Sequence, residues 1–408
     1  MCKFQRGNTL LTLLVCFFAA CSADAAYTLT TLVSFNPDNV GYPLGGVVAD
    51  SEGNLFGTTF GGGNAFGSIF EISTATSQLA NLVLFNGSNG ASPDAGLSAD
   101  AHGNFYGTTF QGGTNNYGTV FKLDAGTYNF STLIKFNNLN GAHPHDRLLA
   151  DAAGNLYGTT AEGGTNGCEC GTVFEIAAGS NSVTTLVSFN RTNGGFPYGG
   201  LIADAAGNLY GTTTQGGSNN GGTVFEVAAG THALSTLANF NGINGRMPYS
   251  TLVADAVGNL YGTTGNGGLF DRGTLFEITA GSHTPTTLVT FGTSSFGDEP
   301  LAGLSADSEG NLYGTTSQEG NVLGGTVFQV AEGTHTFKTL ASLQVVDILN
   351  HVSDLLIDAN GTLYGTTDRG GTYDGGTVFM LSLVPEPSAL TLFTAGTILF
   401  AVLLGGRR

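Results

Sequence analysis

The densest group of chemistry-bearing side chains in this 408-residue sequence is His143-Pro144-His145-Asp146-Arg147. Two imidazoles and a carboxylate could ligate a metal ion or work as an acid–base pair. The proline is ordinary, because Pro43, Pro93, Pro197, Pro248 and Pro300 hold the same place in sibling units. Its flanking histidines are not. His143, His145 and Asp146 are therefore candidate site residues, set against plain loop variation, which is the preferred reading. In the last unit His351 replaces the proline, with Asp354 nearby; closure of a repeat array would explain that as readily as function would. His232, His283 and His335 share one position and read as repeated surface residues.

Other polar residues recur too regularly to be singular catalysts. Asp50, Asp100, Asp151, Asp204, Asp255, Asp307 and Asp358 each precede a Gly-containing turn. Calcium needs six to eight oxygens from several positions, and only one acid recurs, so capping of the turn is the better reading. Calcium stays open as a cofactor and no other is implied. The paired threonines that follow each turn lack a recurring base, which a hydroxyl nucleophile requires. No GxSxG elbow, HExxH zinc signature or phosphate-binding loop is present. Trp is absent, so a sugar site would depend on Tyr or Phe.

The elements that would position these groups follow from one recurring phrase. Asn54-Leu55-Phe56-Gly57-Thr58-Thr59 returns six more times, with its glycine at 107, 158, 211, 262, 314 and 365. A period of about 51 residues, repeated seven times, is a repeat architecture and not a set of independent domains. Each unit holds four strand-like runs, seen in the fourth copy at 199–203, 209–213, 222–227 and 235–240. Four short strands in some fifty residues make one propeller blade. The Gly-rich first run suits the crowded strand nearest the axis, which sets the segment 143–147 at the mouth of a central channel. The expectation is an all-β, seven-bladed β-propeller over 27–383. The N-terminal strand at 30–35 would pair with a last strand at 376–381 and close the ring.

Composition narrows the function. Gly is very frequent, at 65 residues, while charged residues make up 10% and apolar residues 41%, enough for a core. The body carries eight basic against 28 acidic residues, which disfavours nucleic acid as a partner. Of five cysteines, only Cys168 and Cys170 lie in the body. A bridge between them would close a very small ring, so they read as two loop thiols.

Both ends read as addresses. Residues 1–26 place Lys3 and Arg6 before a short apolar run, then small residues that suit cleavage near Ala25 or Ala26, as in a secretory signal. At the other end Pro385-Glu386-Pro387 precedes an apolar stretch at 389–404 and terminal Arg407-Arg408, a short transmembrane helix with a basic cytoplasmic tail. This arrangement over 384–408 resembles the PEP-CTERM sorting signal. That resemblance implies transient membrane anchoring, processing near the tripeptide by an exosortase-type enzyme, and delivery to the cell surface or extracellular matrix. An ordinary C-terminal anchor is the alternative.

The Gly-Asn-Leu-Tyr-Gly-Thr-Thr phrase, its Gly-Gly loop and the following Gly-Thr-Val-Phe resemble the GloVer tandem-repeat family, with departures such as Gly67-Ser68-Ile69-Phe70. The family implies exported multi-repeat proteins without an assigned reaction. These readings converge on an exported, surface- or matrix-associated repeat protein of structural or ligand-binding type, with no catalysis evident and extracellular polysaccharide as a candidate partner. The alternative is an extracellular polysaccharide lyase or hydrolase acting at the channel mouth.

Overall fold

Each repeat folds on itself because its strands are short, antiparallel and joined by tight turns. In the computed structural model, residues 27–62, 66–293, 296–318, 324–343 and 352–384 are described. They form seven four-stranded sheets, each running in sequence order from the axis outwards. The exception is the last sheet, whose outer strand is the N-terminal Tyr27–Ser34 paired antiparallel with Thr377–Leu383. The chain is thus the expected all-β, seven-bladed propeller, and its ring closes through its own first strand. The expected features at Ala25, Ala26, Pro385, Glu386, Pro387, Arg407 and Arg408, the C-terminal span and His351 lie outside the described residues. Among the described residues no helix is long and apolar enough to cross a membrane.

The repeat phrase is explained by what each of its residues touches. Phe225 from one blade packs on Phe189 from the preceding blade at 5.1 Å between ring centres. The same pairing recurs from Phe35–Phe70 around to Phe291–Phe328. At the seventh interface Leu343 takes the place of the phenylalanine and packs with Phe379. Gly211 must lack a side chain, since a Cβ there would lie 2.6 Å from Cζ of Phe225. The two threonines divide their labour. The second pairs hydroxyls within its blade, as Thr213 does with Thr223 at 2.8 Å. The first donates to a backbone carbonyl of the next blade, as Thr58 does to Ala95 and Thr159 to Gly199. Thr366 donates to Gly45 and so carries this latch across the closure. Buried hydroxyls demand partners, and here the partners hold the ring together.

The recurring aspartates cap turns. Asp204 accepts the backbone N–H groups of Ala206 and Asn208, the Asn208 side-chain amide and the Tyr210 hydroxyl. Among the described residues no group of three or more His, Cys, Asp or Glu could hold a metal ion. Partial burial raises the pKa of Asp100, Asp151, Asp204, Asp255 and Asp307, but these hydrogen bonds outweigh it and hold each carboxyl below its ordinary value. Burial, then the bond to or charge of the nearby acids, pushes Tyr106, Tyr157 and Tyr210 up to about 12.

The two directions give opposite linkage. The aspartates stabilise the fold above about pH 4, and that contribution is lost as pH falls through their depressed values. The tyrosines stabilise it fully below about pH 10, and that contribution is lost as pH rises towards 12. Replacing Tyr106, Tyr157 and Tyr210 by Phe should flatten the alkaline limb of a thermal-midpoint profile between those limits. An alkaline limb identical to that of the parent protein would refute this assignment.

Two expectations need correction. The innermost run of the fourth unit, expected over 199–203, is a strand only at Ile202–Ala203. Gly199 and Gly200 spend their backbone groups elsewhere: the Gly199 carbonyl accepts from Thr159, and the Gly200 N–H donates to Asp146 and Thr251. The steric reason for glycine holds, because a Cβ on Gly199 would meet the Ser250 carbonyl at 2.6 Å. Cys168 and Cys170, expected as thiols, form a disulfide. Glu169 between them adopts a left-handed φ of 51°, which turns the chain back and leaves the two Cα atoms 5.2 Å apart.

Candidate functional site at the channel mouth

Each blade presents one short segment to the mouth of the channel, and the local backbone explains how. The residue before the repeat proline is left-handed in six blades, as at His143 with φ 56° and Phe196 with φ 58°. Its backbone is clamped on both sides. The His143 N–H donates to the Tyr117 carbonyl, and its carbonyl accepts from Ala161. Four residues after the proline a buried aliphatic side chain, such as Leu148 or Leu201, anchors the segment in an interface. The residues between proline and anchor therefore face the axis on a rigid lip.

Those residues surround a cavity of about 490 Å³ whose rim is divided into two halves. Blades one, six and seven contribute Leu44, Leu301 and Val352; blades two to five contribute Asp94, His145, Tyr198 and Tyr249. His145 Nε2 lies 3.4 Å from Asp94 Oδ2. The His145 ring meets Tyr198 edge to face at 4.8 Å, and Tyr198 leans on Tyr249 at 5.6 Å. Asp94 is only 6% exposed at its side chain, and its Oδ1 has no hydrogen-bond partner. Burial pushes the Asp94 carboxyl well above the ordinary range, against a hydrogen bond from its own backbone and with help from the charge of Asp146.

A second layer lies beneath the rim. Asp146 Oδ2 accepts from Gly200 N–H at 2.6 Å and the Thr251 hydroxyl at 2.7 Å, and Oδ1 accepts from Arg147 N–H. Arg147 reaches across the axis to Asp354 of the seventh blade at 3.7 Å. Asp354 in turn accepts from the Gly303 N–H. Burial raises its carboxyl, Arg147 opposes that shift, and Asp146 adds to it. Charged groups from opposite blades thus meet as a floor under the cavity.

The structure separates the three residues that the sequence grouped. His145 stands in the rim and Asp146 in the floor. His143 does not line the cavity: its Nδ1 lies 2.8 Å from the Phe110 carbonyl, its Nε2 3.8 Å from Glu162, and its ring on Phe110 at 4.7 Å. Its neighbour in sequence faces the other way because Pro144 lies between them. Sequence reasoning missed Asp94, Tyr198 and Tyr249. Reading the residue after every repeat proline as one column would have found all three.

The model of the Gloeobacter/Verrucomicrobia repeat matches residues 18–202 and again 167–379. The chain belongs to the Gloeobacter/Verrucomicrobia repeat family. No curated protein matches its sequence. Among solved structures, this family member resembles a catalytically inactive variant of virginiamycin B lyase from Staphylococcus aureus with quinupristin. The TM-score is 0.56 at 12% identity, over 88% of this chain and 100% of the lyase. It also resembles the extracellular domain of a protein described as a hybrid two-component system of B. thetaiotaomicron. There the TM-score is 0.55 at 9% identity, over 86% of this chain and 39% of that one. At these identities the likeness is one of fold alone.

Proposed function

We propose that this member of the repeat family is an exported, surface- or matrix-associated protein that binds a small polar ligand at the mouth of its propeller channel. Export is supported by the signal-like segment 1–26 and by Pro385-Glu386-Pro387 ahead of an apolar stretch and Arg407-Arg408. An exosortase-type enzyme is the proposed processing partner. The observation that carries the binding reading is the convergence of repeat-breaking side chains. Repeated residues are consumed by turns, latches and blade interfaces, whereas Asp94, His145, Tyr198 and Tyr249 meet around one cavity. A half-apolar cavity of this size with a few converging polar groups is the usual form of a small-molecule site. Aromatic faces beside acceptors suit saccharides, so extracellular polysaccharide is the proposed source of the ligand.

The test is a glycan array probed with the purified protein, with and without calcium, followed by the Tyr198→Ala, Tyr249→Ala double variant. Specific binding should weaken by about tenfold in that variant. Unchanged binding would remove the site from the channel mouth, and silence across the array would favour a structural role.

A second reading has its own observation. An imidazole held against a buried carboxyl of raised pKa is a general acid–base arrangement, and a lyase exists on this fold. On that reading His145 and Asp94 exchange a proton with an extracellular polysaccharide substrate. A His145→Ala variant with undiminished turnover of an identified substrate would end it.

A further inference from the structure

The cavity wall has more acceptors than donors. Asp94, Asp146, Glu299 and Asp354 line it beside the His145 imidazole, and the cations Arg147 and Arg272 stand behind it, each against one of these acids. Most of these groups already have partners. Asp146 accepts three hydrogen bonds, Asp354 holds Arg147 and the Gly303 N–H, and Glu299 lies 3.3 Å from Arg272. Asp94 differs: more than nine-tenths buried, it touches His145 with one oxygen and has no partner on the other. A buried acceptor without a partner costs stability, and a ligand that donates to it would recover that loss. The rings of Tyr198 and Tyr249 stand next to each other in the same rim. A carboxyl oxygen beside aromatic faces is the chemistry that recognises an ammonium group, which offers only donors and is drawn to a ring face. The opposite half of the rim carries the apolar side chains Leu44, Leu301 and Val352.

We propose that the channel-mouth cavity selects a ring bearing a primary ammonium, the chemistry of a free amino sugar, with Asp94 as the residue that receives the ammonium and Tyr198 and Tyr249 as the faces that receive the ring. This rests on the binding reading above and goes further by fixing the charge of the ligand. Neutral N-acetylated sugars lack the cation, and uronic acids carry the sign that the wall repels.

The test measures binding of three probes to the full protein by titration calorimetry: the glucosamine disaccharide, its di-N-acetylated form and the galacturonic acid disaccharide. The amine is expected to bind at least tenfold more tightly than the acetylated form, and the uronate not at all. Asp94→Asn keeps the shape and should abolish the amine preference; Glu299→Gln, at a more exposed position, should lower it a few-fold. Circular dichroism and the thermal midpoint report whether each variant is folded. Equal binding of amine and N-acetyl probes, preference for the uronate, failure of the amine probe to bind, or a preference that survives in folded Asp94→Asn would each overturn the proposal. Glycan binding that remains sensitive to Tyr198 and Tyr249 would then show that the cavity reading stands without it.

Discussion

Deletion of residues 27–35 should leave a protein that no longer unfolds cooperatively and that self-associates in solution. Seven residue pairs join Tyr27–Ser34 to Thr377–Leu383, and the Phe35 N–H continues the contact to the Gly376 carbonyl. Phe35 itself is fully buried against Phe70 of the first blade. Losing a buried Phe alone costs about 3–5 kcal/mol, and the strand removes seven paired positions as well. The sum is comparable to the whole net stability of a domain, roughly 5–15 kcal/mol. What remains exposes the edge of Thr377–Leu383, an invitation to intermolecular pairing. Denaturant unfolding followed by size-exclusion chromatography checks both parts. A monomeric deletion protein with an unshifted midpoint would show that the ring does not depend on this closure. A synthetic peptide of the same nine residues should restore the monomer when added in trans.

Asp146→Ala should destabilise the protein by about 3 kcal/mol, since charged acceptors are worth roughly 1.5–3 kcal/mol per hydrogen bond. Three donors lose their acceptor: Gly200 N–H, the Thr251 hydroxyl and Arg147 N–H. Gly200 and Thr251 keep their mutual bond at 2.9 Å, which limits the loss. Arg147 loses a neighbouring negative charge and keeps Asp354 alone. Asp146→Asn, which retains one oxygen acceptor, should fall between the two. Chemical denaturation of the three proteins measures the series. If the alanine variant matched the parent in stability, Asp146 would belong with the ligand-binding rim and not with the floor.

Much of the architecture was legible because it is local. A glycine about every 51 residues, an aspartate two to four residues ahead of its backbone donors and a Thr pair per repeat are short-range patterns. Each blade reads them independently of the others. Even the closure by the first strand followed from counting strand types. The Cys168–Cys170 bridge was not legible, because it depends on the left-handed backbone of Glu169 and not on ring size alone.

The sequence by itself determined the blade, the number of blades and the residues that break the repeat. Only the tertiary structure decided which of those residues meet. Asp94 and His145 are 51 positions apart in the chain, and Arg147 and Asp354 more than two hundred. A seven-fold ring brings equivalent positions of successive units to one axis, so proximity there follows repeat phase and not sequence distance. His143 and His145, two residues apart, are parted: one packs into the lip and the other faces the channel.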